Sequence, residues 1–239
     1  MKRYWLSILL FSFILSAAVY SLLFSEQLPS GLLAIRSAEI FGFLALGFLY
    51  LALLASPLYK VFPTLSGKQF YRSCVPPLGV AAFYFAIIHA RITFFTLLLG
   101  FKGLPFLGGL YLTAVIFGFI TLIILFILSL FSLPWLQRKA GRAWKWIRKL
   151  SYIAGLSILL HVVTVGSDFR NFSNPYSLIT ISLVAALLVL YAVASYEYLV
   201  KKFPHVPSYL FSLGISIIFF MLFYIVYAIH STLHAAHLH

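Results

Sequence analysis

Polar residues fall along this chain in short clusters, with long apolar runs between them. Seven runs, near 4–24, 31–56, 77–99, 107–131, 149–166, 177–199 and 208–230, are long enough to cross a bilayer as helices. They are continuous rather than alternating, which argues against a barrel of short alternating strands. Helices satisfy every backbone group within their own segment, the condition hydrocarbon imposes. The breaks carry the expected punctuation. Pro29-Ser30-Gly31 ends the first run, Pro57 follows the second and Pro76-Pro77 opens the third; Gly103 and Pro105 close the third, and Pro134 follows the fourth. The fifth run is the shortest and is expected to begin inside the basic segment before it. The pattern predicts an all-α, polytopic membrane bundle of about seven transmembrane helices, with no internal repeat and no separate soluble domain. The run after Lys2-Arg3 is too long for a signal peptide and lacks a small-residue cleavage site, so it is expected to remain as the first helix.

Composition narrows the chemistry. Of 239 residues, 63% are hydrophobic and 9% charged, so the solvent of this chain is the bilayer. Cys74 is the single cysteine, which excludes intrachain disulfides and cysteine-ligated zinc or iron–sulfur sites. The four acids, Glu26, Glu39, Asp168 and Glu197, are too few and too scattered for a carboxylate di-iron site.

Charge sets the orientation. With seven spans, one side collects Lys2, Arg3, Lys60, Lys68, Arg72, the six basic residues between Arg138 and Lys149, Lys201 and Lys202. The other keeps Arg36, Arg91, Lys102 and Arg170. The positive-inside rule then puts the N-terminus in the cytoplasm and the C-terminus outside. The run Arg138 to Lys149 lies directly beside a span, so anionic lipid headgroups are its expected partner and no nucleic-acid role is needed.

Against this background two histidines stand out. His89 lies as far beyond Pro77 as His161 lies beyond Lys149, each deep in an apolar run. Counted from those starts, both lie roughly 18 Å from the same membrane face. An ionisable side chain at such depth marks a functional site by default. Two imidazoles at matched depth on parallel helices can ligate one metal between them, as in a bis-histidine haem. Helical spacing puts Ala82, Ala86, Thr93 and Thr96 on the face of His89, and Ala154, Ser157 and Thr164 on that of His161. Small residues there would admit a flat porphyrin; they would equally serve close helix packing, with the histidines bonded across helices. Arg36 and Arg91 are candidates to hold haem propionates. Alternatively, Arg91 pairs with Glu39 at similar depth, or snorkels to the outer interface.

Several segments resemble ferric reductase-like transmembrane proteins, and among them the haem-binding membrane subunits of bacterial periplasmic methionine-sulfoxide reductase systems. The third-helix stretch LGVAAFYFAIIHARITF carries Leu78-Gly79 and, three turns on, His89. Ala55-Ser56-Pro57-Leu58 is similar to that family's Thr-Pro-Leu helix ending. Leu136 to His161 resembles its basic loop, with Gly141-Arg142-Ala143-Trp144 as the Gly–basic–x–Trp element and Tyr152 before the histidine. The likeness covers roughly residues 1–200 and is strongest from Ser56 to His161. It implies that His89 and His161 ligate a b-type haem that passes electrons across a bacterial inner membrane to an extracytoplasmic partner reductase. Family members usually carry a further histidine before the one matching His161, and its position is Arg148 here. In relatives with two stacked haems another precedes the one matching His89, in the neighbourhood where this chain has Val75-Pro76-Pro77. One haem b is therefore expected, with quinol from the bilayer as electron donor. A flavin such as FMN is left open and has no sequence feature in its support; no Gly-rich dinucleotide fingerprint is present.

Residues 201–239 are expected to form an additional transmembrane helix with a His-rich tail, AIHSTLHAAHLH. His230, His234 and His237 recur on one helical face, a spacing that can bind a transition-metal ion. They serve equally as a polar, pH-sensitive helix end. Three function classes remain: a cytochrome b delivering electrons to a partner reductase or a metal ion outside, a haem-free membrane metal-handling or transport protein using the tail, and a purely structural subunit that anchors a partner, its two histidines only packing.

Overall fold

The computed structural model describes residues 2–165 and 175–218, together with residues 221 and 224. Among them the regular elements are helices: α1 (Lys2–Ser25), α2 (Ser30–Val61), α3 (Lys68–Arg91), α4 (Gly109–Phe131), the short α5 (Pro134–Ala140) and α6 (Trp144–Ile147), α7 (Leu150–Val165), α8 (Pro175–Lys202) and α9 (Ser208–Ile218). Two compact units result, Met1–Ala55 with Gly67–Ile158, and Ser56–Ser66 with Leu159–His239.

Five of these helices are long and apolar enough to span a membrane, α3 being counted with the turn that extends it to Leu97. A sixth arises if α5–α6 and α7, which meet at 55°, are counted as one span. Charge decides how that pair sits. Six basic residues between Arg138 and Lys149 would be costly in hydrocarbon, so the bend marks where the chain turns from the headgroup layer into the membrane. Trp135 and Trp146 are exposed there, with Lys139 Nζ 5.3 Å and Lys149 Nζ 3.9 Å from their ring centroids. This is the aromatic–basic signature of an interfacial segment. The seventh expected span begins in α9, and most of its remainder lies outside the described residues.

Much of the packing uses small residues, while many large apolar side chains face outward. On α4, Ala114, Thr121 and Ser129 are buried beside Ile124 and Leu125, whereas Ile116, Phe119, Ile123 and Phe126 face outward. Lipid tails are as apolar as leucine, so close approach through small residues stabilises such a bundle more than burial of large ones. On α2 the buried stripe Ala34, Ala38, Ala45 recurs near a helical period, broken by one large anchor, Phe41. Within the first unit α3 is central. Phe85 packs against Phe41 and Phe48 of α2, and Tyr20 of α1 packs on Phe41. Farther along, Leu49, Ala82 and Leu125 join α2, α3 and α4 in a second cluster.

Two expectations about α3 change. Pro76-Pro77 does not open the helix; it begins at Lys68, after Gly67 in the left-handed region at φ 79°, and carries both prolines inside. Proline's φ suits a helix, and membrane helices tolerate its missing N–H where neighbouring groups re-satisfy the backbone. Counted from Lys68, His89 is therefore much deeper into α3 than His161 is into α7 from Leu150, and the matched count from two helix starts does not hold. At its other end α3 widens into a π turn, Ile92–Leu97, closed by Leu98 N–H donating to Thr93 O at 2.9 Å. The wider turn shifts the register, and Thr96 is exposed rather than on the buried face of His89. Beyond it Gly103 has no room for a side chain, because a Cβ there would collide with the carbonyl of Leu98.

One buried polar pair ties α1 to α3: Ser16 Oγ and Tyr84 OH lie 2.8 Å apart. Ser16→Ala is expected to cost about 0.6 kcal/mol, and no more than roughly 1.7 kcal/mol, the range for interhelical bonds in membranes. A detergent or lipid unfolding titration, run with Tyr84→Phe and the double variant, reads the coupling.

Candidate functional site

The site is built where α3 meets α2. His89 sits in the last α-helical turn of α3, half-buried, with its ring against the backbone of α2. Nδ1 lies 2.7 Å from the carbonyl oxygen of Ala38. A carbonyl can only accept, so Nδ1 carries the hydrogen and donates it. In the neutral imidazole the lone pair is then on Nε2. One turn farther along α2, Gly42 makes the approach possible: a Cβ there would stand 3.0 Å from Nδ1 and 3.3 Å from Cε1. Tautomer, orientation and space are thus all set by backbone on α2. Such a lock is what metal-binding histidines require of their surroundings, since it aims the second nitrogen and raises its basicity.

Around the ring, Ala82 is fully buried and Ala86 half-buried. Thr93, one turn beyond His89, has a buried Oγ1 with no hydrogen-bond partner. Arg91, two positions on, projects some 200° around the helix from His89. It is exposed. Arg36 is also exposed and Glu39 half-buried.

His161 belongs to the second unit, half-buried near the end of α7. The face expected for it is the buried one: Ala154 is fully buried, Ser157 and Thr164 nearly so, and Thr164 Oγ1 donates to Leu160 O at 2.7 Å. Arg148 caps α6 and is exposed, and Pro77 is fully buried. His230, His234 and His237 lie outside the described residues. Among the described residues no three histidine, cysteine or acidic side chains cluster as a metal cage.

The sequence singled out His89 but not the two residues of α2 that hold it. Ala34, Ala38 and Gly42 recur once per helical turn, the small-residue signal that could have found them.

Long apolar helices that expose many large side chains, pack through small ones and anchor a histidine to a neighbouring backbone define a polytopic helical membrane protein. No protein-family model and no solved structure matches the chain. It is similar to the protein-methionine-sulfoxide reductase heme-binding subunit MsrQ of Enterobacter sp. (strain 638), with 32% identity over 152 residues, covering 60% of this chain and 71% of that one. The chain belongs to the MsrQ family.

Proposed function

We propose that this protein is a membrane cytochrome b that takes electrons from quinol and delivers them, through one haem b, to an extracytoplasmic reductase partner. The observation that carries the reading is the His89 Nδ1–Ala38 carbonyl bond, which leaves the lone pair on Nε2, in a chain akin to a heme-binding subunit. The donor set supports it. A bare ion needs several protein ligands, and no such cluster exists among the described residues; a macrocycle brings its equatorial donors with it and needs one or two imidazoles. His89 and His161 would be those two, the buried small face of α7 serving His161 as Gly42 serves His89. The haem, when bound, supplies one-electron chemistry. The protein's own share is to hold two imidazoles in place, exclude water and tune the iron by burial and hydrogen bonding.

Arg148, and Val75-Pro76-Pro77 in the neighbourhood before His89, stand where the resemblance implies further haem-ligating histidines, which supports a single haem. In this reading residues 1–200 form a ferric reductase-like haem domain in a bacterial inner membrane, the N-terminus is cytoplasmic, and 201–239 add a seventh span ending outside. Arg36 and Arg91 are at the outer ends of their spans, where they can meet propionates or headgroups. Alkaline phosphatase fused after Lys102 is expected to be active, and fused after Arg142 inactive, as that orientation requires. Purified protein mixed with a lipid-soluble quinol should show haem reduction within the mixing experiment. A haem reduced by a flavin reductase with NADPH, and not by quinol, would overturn the donor assignment.

A further inference from the structure

Hydroxyls inside the helices of this protein satisfy themselves in one recurrent way. Ser12 donates to Ile8 O at 2.8 Å, Ser37 to Leu33 O at 2.7 Å, Thr121 to Phe117 O at 2.9 Å and Thr164 to Leu160 O at 2.7 Å. Each bonds back to the carbonyl one turn earlier, the usual refuge of serine and threonine in an apolar helix. Thr93 does not. Its Oγ1 is buried and has no partner, although the carbonyl one turn earlier is that of His89. At that junction, where α3 becomes a π turn, the Ile92 N–H is shared between His89 O and Ile88 O. A buried hydroxyl without an acceptor is unfavourable, more so in a membrane where no bulk water can reach it. Turns of π type are frequent at functional sites. This one starts one turn from the candidate ligand, towards the end of the helix that bears Arg91.

We propose that Thr93 Oγ1 is a hydrogen-bond donor to a haem carboxylate, positioning the haem whose iron is held by His89. The inference rests on the haem reading above. Its chemistry is specific, because the periphery of a b-type haem is apolar apart from its two carboxylates, which accept hydrogen bonds and cannot donate them once ionised. A threonine side chain exchanges its methyl and hydroxyl by rotation about χ1, so Oγ1 can turn to an incoming acceptor without moving the backbone. Thr93 lies about 6 Å farther along the helix axis than His89 and near the same face, an offset suited to the rim of a plate centred on the histidine.

The test uses the full chain in lipid nanodiscs, loaded either with haem or with haem dimethyl ester, whose carboxylates are blocked. Release of each to excess apomyoglobin is timed for wild type, Thr93→Val and Thr93→Ser. Thr93→Val is expected to release haem about tenfold faster than wild type, as loss of a hydrogen bond to a charged group implies. Thr93→Ser should restore the slow rate, and with the dimethyl ester all three should release alike. Equal release of unmodified haem from wild type and Thr93→Val overturns the inference, as does an equal acceleration with the ester, which marks a packing effect. Should Thr93→Val fail to fold, Thr93→Ala takes its place against the serine variant. A folded wild-type protein that takes up no haem sinks the functional reading itself, a result distinct from either.

Discussion

Alanine at His89 or at His161 is expected to leave a folded protein that no longer retains haem, with the content falling from about one per chain to near zero in either variant. The two losses have different local causes. At His89 the imidazole is held by the Ala38 carbonyl at 2.7 Å and fills the space over Gly42, so its removal deletes a ligand already aimed by the backbone. At His161 the supporting face is Ala154, Ser157 and Thr164, all buried. Helix content should survive both changes, because neither residue supplies the apolar clusters around Phe85 and Leu125. Haem-to-chain ratio by pyridine haemochrome, beside circular dichroism, separates ligand loss from unfolding. Retention of a low-spin spectrum in His161→Ala would remove it as the second ligand.

Gly42→Val should be nearly as damaging without touching a ligand. Even the first carbon of a side chain would stand 3.0 Å from His89 Nδ1, closer than ordinary packing allows, and valine adds two methyl groups on the same side. The ring must move away, and the bond to Ala38 goes with it. Overpacking of this kind costs about 1–3 kcal/mol of stability. Loss of the partner that orients a ligating histidine typically lowers affinity by about 10–100-fold. Gly42→Ala should show the same direction at smaller size. Haem titration into apoprotein reads the affinity, and thermal melting the stability. Wild-type affinity in Gly42→Val would mean that the α2 backbone does not hold the ring.

Helix existence was legible in the sequence, because continuous apolar runs bounded by charge have one economical solution in hydrocarbon. The expected spans 4–24 and 107–131 meet α1 and α4 almost residue for residue. Boundaries set by proline were read less well. Pro57 and Pro76-Pro77 looked like breaks, yet all three lie inside helices, where their φ fits and the lost hydrogen bond is tolerable. The π turn left no mark in the composition of Ile92–Leu97, so Thr96 was assigned to a face it does not occupy. At the site, His89 announced itself as an ionisable residue in an apolar run. Its fixed tautomer depends on a carbonyl of a different helix, and main-chain atoms carry no sequence signal. Gly42 belonged to a small-residue stripe on α2 that the histidine-centred reading passed over. The match to MsrQ accords with the resemblance carried by the stretch from Ser56 to His161.

The most direct test of the central claim is a dithionite-reduced minus oxidised visible spectrum of the purified protein, with haem quantified per chain. The account predicts a low-spin b-type spectrum at about one haem per chain. Folded, haem-supplied protein that stays colourless would contradict it, and two haems per chain would contradict the single site inferred from Arg148 and the Val75-Pro76-Pro77 neighbourhood.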